Sequence, residues 1–310
     1  MDDLWVWRYA LESAGGLNAR TGRRIYEGAL VRIGAGFGCV HPWPELGDAT
    51  LEGCLDDLAG ERKLGLVQRT LVCIGADGAA REEGRSLFEG LVVPGSHATL
   101  PFFDEERVAE VVERGFSHVK VKAGRELGRE LAEVRGMILR WPNLRWRVDL
   151  NEMGTVGDLV EIFEGWSEEE RAKLDFLEDP TRYEVDEWAE LRRATGISLA
   201  NDFRMSEDEG DSEFLVVKPA VHEMPEEGRR RVVTSYLDHP LGQVFAAWEA
   251  ARAGVGEVCG LQTHGVFAGS AFTEVVGEVG PEFVVPEGDG LGFGGLLEGL
   301  PWERLKRVEE

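Results

Sequence analysis

The chain is poor in cysteine and histidine, carries few basic side chains for its size, and lacks long apolar runs. Its 310 residues include four cysteines and six histidines, and 34 Lys and Arg stand against 58 Asp and Glu, for a formal charge of −24. Binding of nucleic-acid phosphates or anionic membranes needs clustered positive charge, so this acidity argues against both partners. No window reaches the 18 or so apolar residues of a membrane span.

The scarcity of cysteine also bears on the compartment. The cysteines show no CxxC spacing, and a chain of this length needs no disulfides to fold, so we expect a reducing environment. The acidic start at residues 1–3 lacks the basic and apolar character of a secretory signal. We therefore expect a cytoplasmic protein. The histidines show no ligand spacing either, and we interpret His118 and His264 as packing or surface residues.

The first 95 residues have the pattern of a small α+β unit. Two β segments, 4–11 and 25–33, are followed by helical patterns that begin near Thr50 and Gly65. The glycines of 34–38 resemble a dinucleotide loop, but the prolines soon after them cannot open the helix such a loop needs, so we predict a turn between strands. We expect a capping domain over 1–95, joined by 286–310, and a second domain over 96–285.

From residue 96 onward, strand and helix patterns alternate. Such alternation favours parallel strands joined by right-handed crossovers. An open doubly wound sheet would spread the strand ends along a line, whereas a closed barrel collects them on one face. We therefore predict an α/β fold whose second domain is a TIM-like (β/α) barrel of seven to eight strands. The predicted strands are 117–122, 147–151, 176–178, 200–202, 216–217, 232–235 and 257–263, and the predicted helices are 104–114, 125–141, 156–166, 168–174, 185–194 and 241–253.

Five charged residues end five of these strands: Lys122, Asp149, Glu178, Asp202 and Lys218. Three buried carboxylates repel one another unless a cation lies between them, and an all-oxygen ligand set favours Mg²⁺, with Mn²⁺ or Ca²⁺ left open. A lysine near a dication has its charged form disfavoured, which suits a general base. The strand ends therefore predict a metal site flanked by two lysines.

The order of these residues, with Lys120 two positions before Lys122, resembles the enolase superfamily and, within it, the muconate-lactonising-like branch. The glycine segment 36–38 resembles part of that family's capping domain. Further segments resemble the o-succinylbenzoate synthase family: 80–81, 84–87, 147–151, 177–180, 217–219, 234–237 and 241–242.

The resemblance implies a β-elimination on a small carboxylate substrate, 2-succinyl-6-hydroxy-2,4-cyclohexadiene-1-carboxylate. Lys122 would remove the proton α to the carboxylate, Mg²⁺ would stabilise the charge that develops, and loss of water would make the ring aromatic. Lys218 would face the substrate from the opposite side, and Lys120 would tune the electrostatics. The remaining expected substrate contacts are Asn151, Ser235 and Arg147.

Three other functions stay open. A racemase or epimerase acting on N-acylamino acids or dipeptides would use the same two lysines as opposed bases, and a cycloisomerase would share the scaffold. A metal-binding barrel without turnover is the alternative from another class, but Lys122 and Lys218 are not needed merely to hold Mg²⁺. The oligomeric state is left open, including a homo-oligomer.

Overall fold

The structure is a computed structural model that describes residues 3–13, 17, 22–100, 103–208, 210–225 and 228–306. Most of the loop predicted between residues 13 and 24, and the two ends of the capping domain at 1–2 and 307–310, lie outside the described residues. The strands are β1 (Leu4–Glu12), β2 (Ile25–Ile33), β3 (Gly36–Val40), β4 (Ala98–Leu100), β5 (His118–Lys122), β6 (Arg145–Asp149), β7 (Leu174–Glu178), β8 (Leu199–Asn201), β9 (Phe214–Val217), β10 (Arg230–Val233) and β11 (Glu303–Arg304).

The helices fill the connections between most of these strands. They are α1 (Leu51–Ala59), α2 (Gly65–Glu82), α3 (Glu105–Glu113), α4 (Leu127–Arg140), α5 (Val156–Glu164), α6 (Glu168–Arg171), α7 (Val185–Thr195), α8 (Pro240–Arg252), α9 (Ala271–Val276) and α10 (Gly294–Glu298). In the described part of the chain, no helix combines the length and the apolar character that crossing a lipid bilayer requires.

The N-terminal unit is an antiparallel sheet with two helices packed against it. The strand order is β11-β1-β2-β3, so the C-terminal strand pairs with the first strand of the chain. The glycines of the 34–38 segment form the β2–β3 turn and the strand that faces α2. A Cβ at Gly36 would lie 2.0 Å from the carbonyl oxygen of Ile74, so only glycine lets this helix approach the strand so closely.

The second unit is a parallel barrel, as the alternation predicts. Its seven strands follow the order β10-β9-β8-β7-β6-β5-β4, and every neighbouring pair is parallel. The two edges are joined by a very short eighth element, because Cys259 bridges to Ser96 and Gly260 bridges to Thr234. The predicted strand 257–263 is thus reduced to two residues, which are enough to close the barrel.

Local sequence explains most of the barrel helices. Helix α3 begins after Asp104, whose side chain accepts hydrogen bonds from the backbone of Glu106 and Arg107, and it buries Val108 and Val111 against the sheet. In β5 the valines are buried in the layer between sheet and helices, and the two lysines alternate with them. The pattern therefore turns Lys120 and Lys122 to the same side of the strand.

In its described residues, the connection between β8 and β9 has no α-helix, only a 3₁₀ turn at Met205–Glu207. The acidic sequence of residues 207–211 predicts a solvated turn, and this is wrong for Asp208, whose side chain is fully buried and hydrogen-bonded to Arg229, Ser212 and Asn201. Glu209 lies outside the described residues. The buried polar network takes the place of the missing helix on the outside of β8.

The two units share an interface with an apolar core, because buried residues of β1, β2, β3 and α2 form one hydrophobic cluster with buried residues of β9, β10 and α8. Polar contacts cross this interface as well. Trp43 donates from its indole N–H to the carbonyl oxygen of Tyr236 at 2.8 Å, and the hydroxyl of Tyr236 donates to Asp48 at 2.9 Å. Arg69 forms a 2.8 Å ion pair with Glu249 of α8, whose side chain is fully buried. These contacts fix the antiparallel sheet against the side of the barrel.

Candidate metal centre and active site

Five charged residues lie at the carboxyl ends of five neighbouring barrel strands. Lys122, Asp149 and Glu178 are the last residues of β5, β6 and β7, and Asp202 and Lys218 directly follow β8 and β9. In the strand register Lys122 is level with Asp149, and Asp149 is level with Glu178. The residues therefore line one rim of the barrel.

Lys120 joins two of the carboxylates from within the barrel. Its Nζ lies 2.6 Å from Oε2 of Glu178 and 3.1 Å from Oδ2 of Asp149, and its side chain is largely buried. Burial alone would lower the pKa of Lys120, but the carboxylates of Asp149, Glu178 and Asp202 outweigh it and raise that pKa. Lys120 therefore stays protonated, and its ammonium group holds the carboxylates of Asp149 and Glu178 close to each other.

Lys122 and Lys218 approach the acidic residues from opposite sides, because β5 and β9 flank the three strands that carry the carboxylates. Nζ of Lys122 lies 3.9 Å from Oδ2 of Asp149, and its side chain is 41% exposed, which leaves it accessible to a substrate. Lys218 donates a hydrogen bond to Oδ2 of Asp202. Burial would lower the pKa of Lys218, but Asp202 raises it overall, so the lowering that a base needs would have to come from a bound dication.

Among the described residues, the three carboxylates that come closest together are those of Glu178, Asp179 and Asp202. Each offers an oxygen atom, these atoms lie within 4.8 Å of one another, and all three residues are buried. The sequence predicts Asp149 in this set in place of Asp179. The difference arises because Asp179 has a φ of 41°, which turns its carboxylate toward the backbone N–H of Asp202, 3.0 Å away.

Asp149 lies beside this group but is engaged by the two lysines of β5. Burial would raise the pKa of Asp149, but Lys120 and Lys122 lower it overall. The only sequence signal for Asp179 is its position directly after another acid, and sequence reasoning missed it.

The negative charge of the group is incompletely compensated. Burial raises the pKa of Glu178 to about 7 despite the opposing effect of Lys120, and burial with repulsion from Asp202 raises the pKa of Asp179. Oδ1 of Asp202 is buried and has no hydrogen-bond partner among the described residues. An all-oxygen donor set with an unpaired carboxylate oxygen fits a hard divalent cation.

Two of the predicted substrate contacts lie near the rim. Asn151 follows β6 with a φ of 50°, and its backbone N–H donates to Oδ1 of Asp149 at 3.2 Å. Ser235 follows β10, is almost fully buried, and has its Oγ 2.8 Å from Oγ1 of Thr263. The side chain of Asn151 is partly exposed to solvent, whereas Ser235 is almost fully buried and is bonded to Thr263.

Arg147 lies elsewhere, and the expectation that it contacts substrate needs correction. Its side chain is 0% exposed and forms a 2.8 Å ion pair with Asp175, and its Nη1 lies 2.9 Å from Nδ1 of His97. Arg147 precedes Asp149 by two residues and is therefore one layer deeper in the barrel. A guanidinium group enclosed in this way pairs with side chains of the barrel interior and does not reach a ligand at the rim.

The two histidines interpreted from the sequence, His118 and His264, have structural positions. His264 is buried, with Nδ1 3.0 Å from Oε1 of Gln243 and Nε2 3.0 Å from the carbonyl oxygen of Gly277. His118 lies at the start of β5, with Nε2 3.8 Å from Asp175, and burial lowers its pKa to about 4. Both positions agree with the interpretation as packing residues.

Sequence analysis did not identify several residues of the loops above the rim. Arg204 forms a 3.0 Å ion pair with Glu152, which links the loop after β8 to the loop after β6. The ring of Phe203 has its centroid 5.8 Å from Nζ of Lys218, and Met153 is 63% exposed. These residues follow no periodic pattern, and only their position around the carboxylates marks them.

Comparison with known proteins points to one group of enzymes. Residues 4–80 match the family described as O-succinylbenzoate synthase, N-terminal domain, and residues 104–208 match the family described as Enolase C-terminal domain-like. An o-succinylbenzoate synthase of Bdellovibrio bacteriovorus is 28% identical over 322 aligned positions, which cover 96% of this chain and 97% of that protein.

Solved structures share the fold at lower identity. A dipeptide epimerase from Enterococcus faecalis, complexed with Mg and the dipeptide L-Leu-L-Tyr, superimposes with a TM-score of 0.78 at 16% identity, covering 94% of this chain and 99% of that one. A mandelate racemase/muconate lactonizing protein from Herpetosiphon aurantiacus gives a TM-score of 0.77 at 18% identity, covering 94% and 97%. At these identities the structures establish the architecture, a barrel with a capping domain.

Proposed function

We propose that this chain, which belongs to the enolase superfamily, is an o-succinylbenzoate synthase. It would convert 2-succinyl-6-hydroxy-2,4-cyclohexadiene-1-carboxylate into 2-succinylbenzoate and water, as a cytoplasmic step of menaquinone biosynthesis. The observation that carries the proposal is the placement of Lys122 and Lys218 on opposite sides of a buried group of carboxylates. The similarity to a synthase over nearly the whole chain supports the choice of substrate.

In this proposal the general base is Lys122. Its neutral Nζ would take the proton from the carbon α to the substrate carboxylate, and the electron pair left behind would expel the hydroxyl group from the neighbouring carbon. The same ammonium would return its proton to the departing hydroxyl, so that water leaves and the ring becomes aromatic. The exposure of Lys122 at the rim supports this role, because the base must reach the substrate.

Lys218 and Lys120 would act as cations. Lys218, opposite Lys122, would present its ammonium group to the face of the substrate ring. Lys120 would not touch the substrate, because its Nζ is already shared between Asp149 and Glu178. Its raised pKa keeps it charged, and this charge lowers the pKa of Asp149 and opposes the rise in the pKa of Glu178.

A divalent cation, Mg²⁺ in this proposal and Mn²⁺ as the second choice, would supply charge compensation for the substrate carboxylate when bound. Glu178 and Asp202 would hold it. The third ligand would be Asp149, as the sequence predicts, or Asp179, which the structure brings closer. The unpaired Oδ1 of Asp202 supports a cation at this position.

An epimerase or racemase of the same superfamily is the second candidate. Two lysines on opposite sides of one site are the arrangement in which one base removes a proton and the other returns it to the opposite face. The chain shares its fold with a dipeptide epimerase, which is compatible with this second candidate. At 16% identity, the shared fold does not decide between an epimerase and a synthase.

Two measurements on the purified protein separate the two candidates. The purified protein is incubated with the cyclohexadiene substrate and Mg²⁺ while the absorbance of the aromatic product is followed, and the assay is repeated with a chelator. Metal-dependent product formation is the expected result. Deuterium exchange into an N-acylamino acid or dipeptide, without any aromatic product from the cyclohexadiene, would replace the synthase by the epimerase.

A further inference from the structure

The three loops that follow β6, β7 and β8 are joined pairwise by hydrogen bonds and one ion pair, so that their contacts form a closed ring. After β6, the N–H of Glu152 donates to the carbonyl oxygen of Asp179 at 2.7 Å, and the N–H of Gly154 donates to that of Pro180 at 3.0 Å. The β6 loop is thereby attached to the β7 loop. The carboxylate of Asp179 in turn accepts from the N–H of Asp202, which attaches the β7 loop to the β8 loop.

An ion pair between side chains completes the ring. Nε of Arg204 donates to Oε1 of Glu152 at 3.0 Å, and both side chains are mostly shielded from solvent. The backbone of Arg204 is itself held at the end of β8, because Asn201 accepts from its N–H at 3.0 Å and donates to its carbonyl oxygen at 3.2 Å. Arg204 therefore links the segment that contains Asp202 directly to the β6 loop.

The backbone is strained where this ion pair begins. Asn151 and Glu152 are consecutive residues other than glycine with φ values of 50° and 61°, and Asp179 has a φ of 41°. Such conformations cost roughly 1 to 3 kcal/mol each and persist only where the surroundings enforce them. Three of the six described residues other than glycine with a positive φ lie in the turns that hold the carboxylates, which indicates that the geometry of these turns is imposed by the contacts between the loops.

We propose that the ion pair between Glu152 and Arg204 positions the carboxylate of Asp202, after β8, relative to the carboxylates at the ends of β6 and β7 for cation binding. The pair does not contact the cation, and it acts by holding the β6 and β8 loops at a constant separation. This inference rests on the proposed metal site. It assigns a positioning role to two residues that no sequence motif singled out.

The alternative to positioning is a simple electrostatic effect, and the two make opposite predictions for the substitution of Arg204. If only charge mattered, Arg204→Gln would remove a nearby positive charge and tighten Mg²⁺ binding, while Glu152→Gln would weaken it. If the pair positions the carboxylates, both substitutions weaken binding. Loss of a residue that orients metal ligands typically lowers affinity by about 10-fold to 100-fold, so we expect about a 10-fold rise in the Kd for each variant.

The test is calorimetric titration of the full-length protein with Mg²⁺, without substrate, together with a thermal melt of each variant. The double variant should show the same Kd as Arg204→Gln, because Arg204→Gln already removes both the ion pair with Glu152 and the more exposed pair of Arg204 with Glu207. Glu152→Gln alone should come close to that Kd. The exchanged pair Glu152→Arg with Arg204→Glu should recover part of the affinity. Arg204→Lys keeps the charge but not the planar donor group, so its Kd should lie between those of the unaltered protein and of Arg204→Gln.

Arg230→Gln is the matched control, because Arg230 forms an ion pair with Glu257 at the amino-terminal end of β10, opposite the rim. It should leave the Kd unchanged. Opposite shifts for the two single variants, or an unchanged Kd in both while the unaltered protein binds Mg²⁺, would overturn the positioning role alone. Absence of Mg²⁺ binding by the unaltered protein would overturn this inference and the proposed metal site together.

Discussion

The ammonium group of Lys218 donates a hydrogen bond to Oδ2 of Asp202, while Oδ1 of the same carboxylate is buried without a hydrogen-bond partner among the described residues. One oxygen of Asp202 is therefore paired and the other is left for a ligand. Because a buried, unpaired carboxylate oxygen is costly, the arrangement is best understood as one half of a binding site.

Replacing Lys122 by alanine should abolish turnover and spare metal binding. A general base typically contributes about 100-fold to 10,000-fold to the rate, so the turnover of Lys122→Ala should fall at least 100-fold. The Kd for Mg²⁺ should change little, because Nζ of Lys122 is the most distant of the three amino groups from its carboxylate partner. Lys63→Ala, an exposed lysine of the N-terminal unit, is the control. Retained turnover in Lys122→Ala would remove it from the role of base.

The third metal ligand can be identified by comparing Asp149→Asn with Asp179→Asn. We expect the larger loss of Mg²⁺ affinity in Asp149→Asn, because the Asp179 carboxylate already accepts hydrogen bonds from the backbone of Asp202 and Phe203, and asparagine can still accept one of them. The measurement is the Kd for Mg²⁺ of each variant by calorimetry. A larger loss in Asp179→Asn would assign the ligand set to the group that is closest in the structure, Glu178, Asp179 and Asp202.

Removing Lys120 should destabilise the protein more without Mg²⁺ than with it. Lys120→Met leaves Asp149 and Glu178 as buried carboxylates without their shared cation, and breaking a buried ion pair on one side costs about 3 kcal/mol of unfolding free energy. A bound dication would replace part of the lost positive charge. Urea unfolding with chelator and with Mg²⁺ measures both values, and an equal loss under the two conditions would place the cation away from Lys120.

The stability of the fold should depend on the protonation of Asp238, a buried residue between the barrel and the N-terminal unit. Burial raises its pKa to about 7, while in the unfolded chain it is about 4. The folded state therefore holds a proton that the unfolded state has lost between these values. The stability due to the neutral carboxyl is full below pH 4 and is lost as the pH rises through about 7.

Asp238→Asn should remove this dependence, so that the variant gains about 3 kcal/mol relative to the parent between pH 4 and pH 7.5. Urea unfolding at several pH values measures the difference. Glu170→Gln is the control of opposite sign, because hydrogen bonds from Arg135 and from the backbone of Ser167 lower the pKa of Glu170 to about 2. The stability due to ionised Glu170 is lost only below about pH 4.5. A parallel pH profile for Asp238→Asn and the parent would contradict the raised pKa.

The end of β5 should not tolerate a side chain at Gly124. This residue has a φ of 118°, and a Cβ there would lie 2.8 Å from the carbonyl oxygen of Leu150. Gly124→Ala should lower the unfolding free energy by roughly 2 kcal/mol and reduce turnover by displacing Lys122. Gly136→Ala, in α4 with open space around the new methyl group, should instead be neutral or stabilising by up to about 1 kcal/mol. Equal effects of the two substitutions would exclude strain at Gly124 as the cause.

Much of the barrel could be predicted because its signals are local. The alternation of Val119 and Val121 with lysines, the acidic cap Asp104, and the spacing of apolar residues in the helices depend on neighbours along the chain. Where the prediction was inaccurate, tertiary contacts overrode the local pattern. The segment 168–174 has helical character throughout, yet α6 ends at Arg171 because Leu174 is buried in β7.

The sequence by itself determined that charged residues would end successive parallel strands, because strand ends are set by local patterning and parallel strands place those ends on one rim. Only the tertiary structure decided which of these groups meet. Asp179 joins the carboxylates through a backbone turn with positive φ, Arg147 is enclosed one layer below them, and Glu152 reaches Arg204 across two loops. Pairing and desolvation depend on neighbours that are distant in the chain, so no sequence pattern records them.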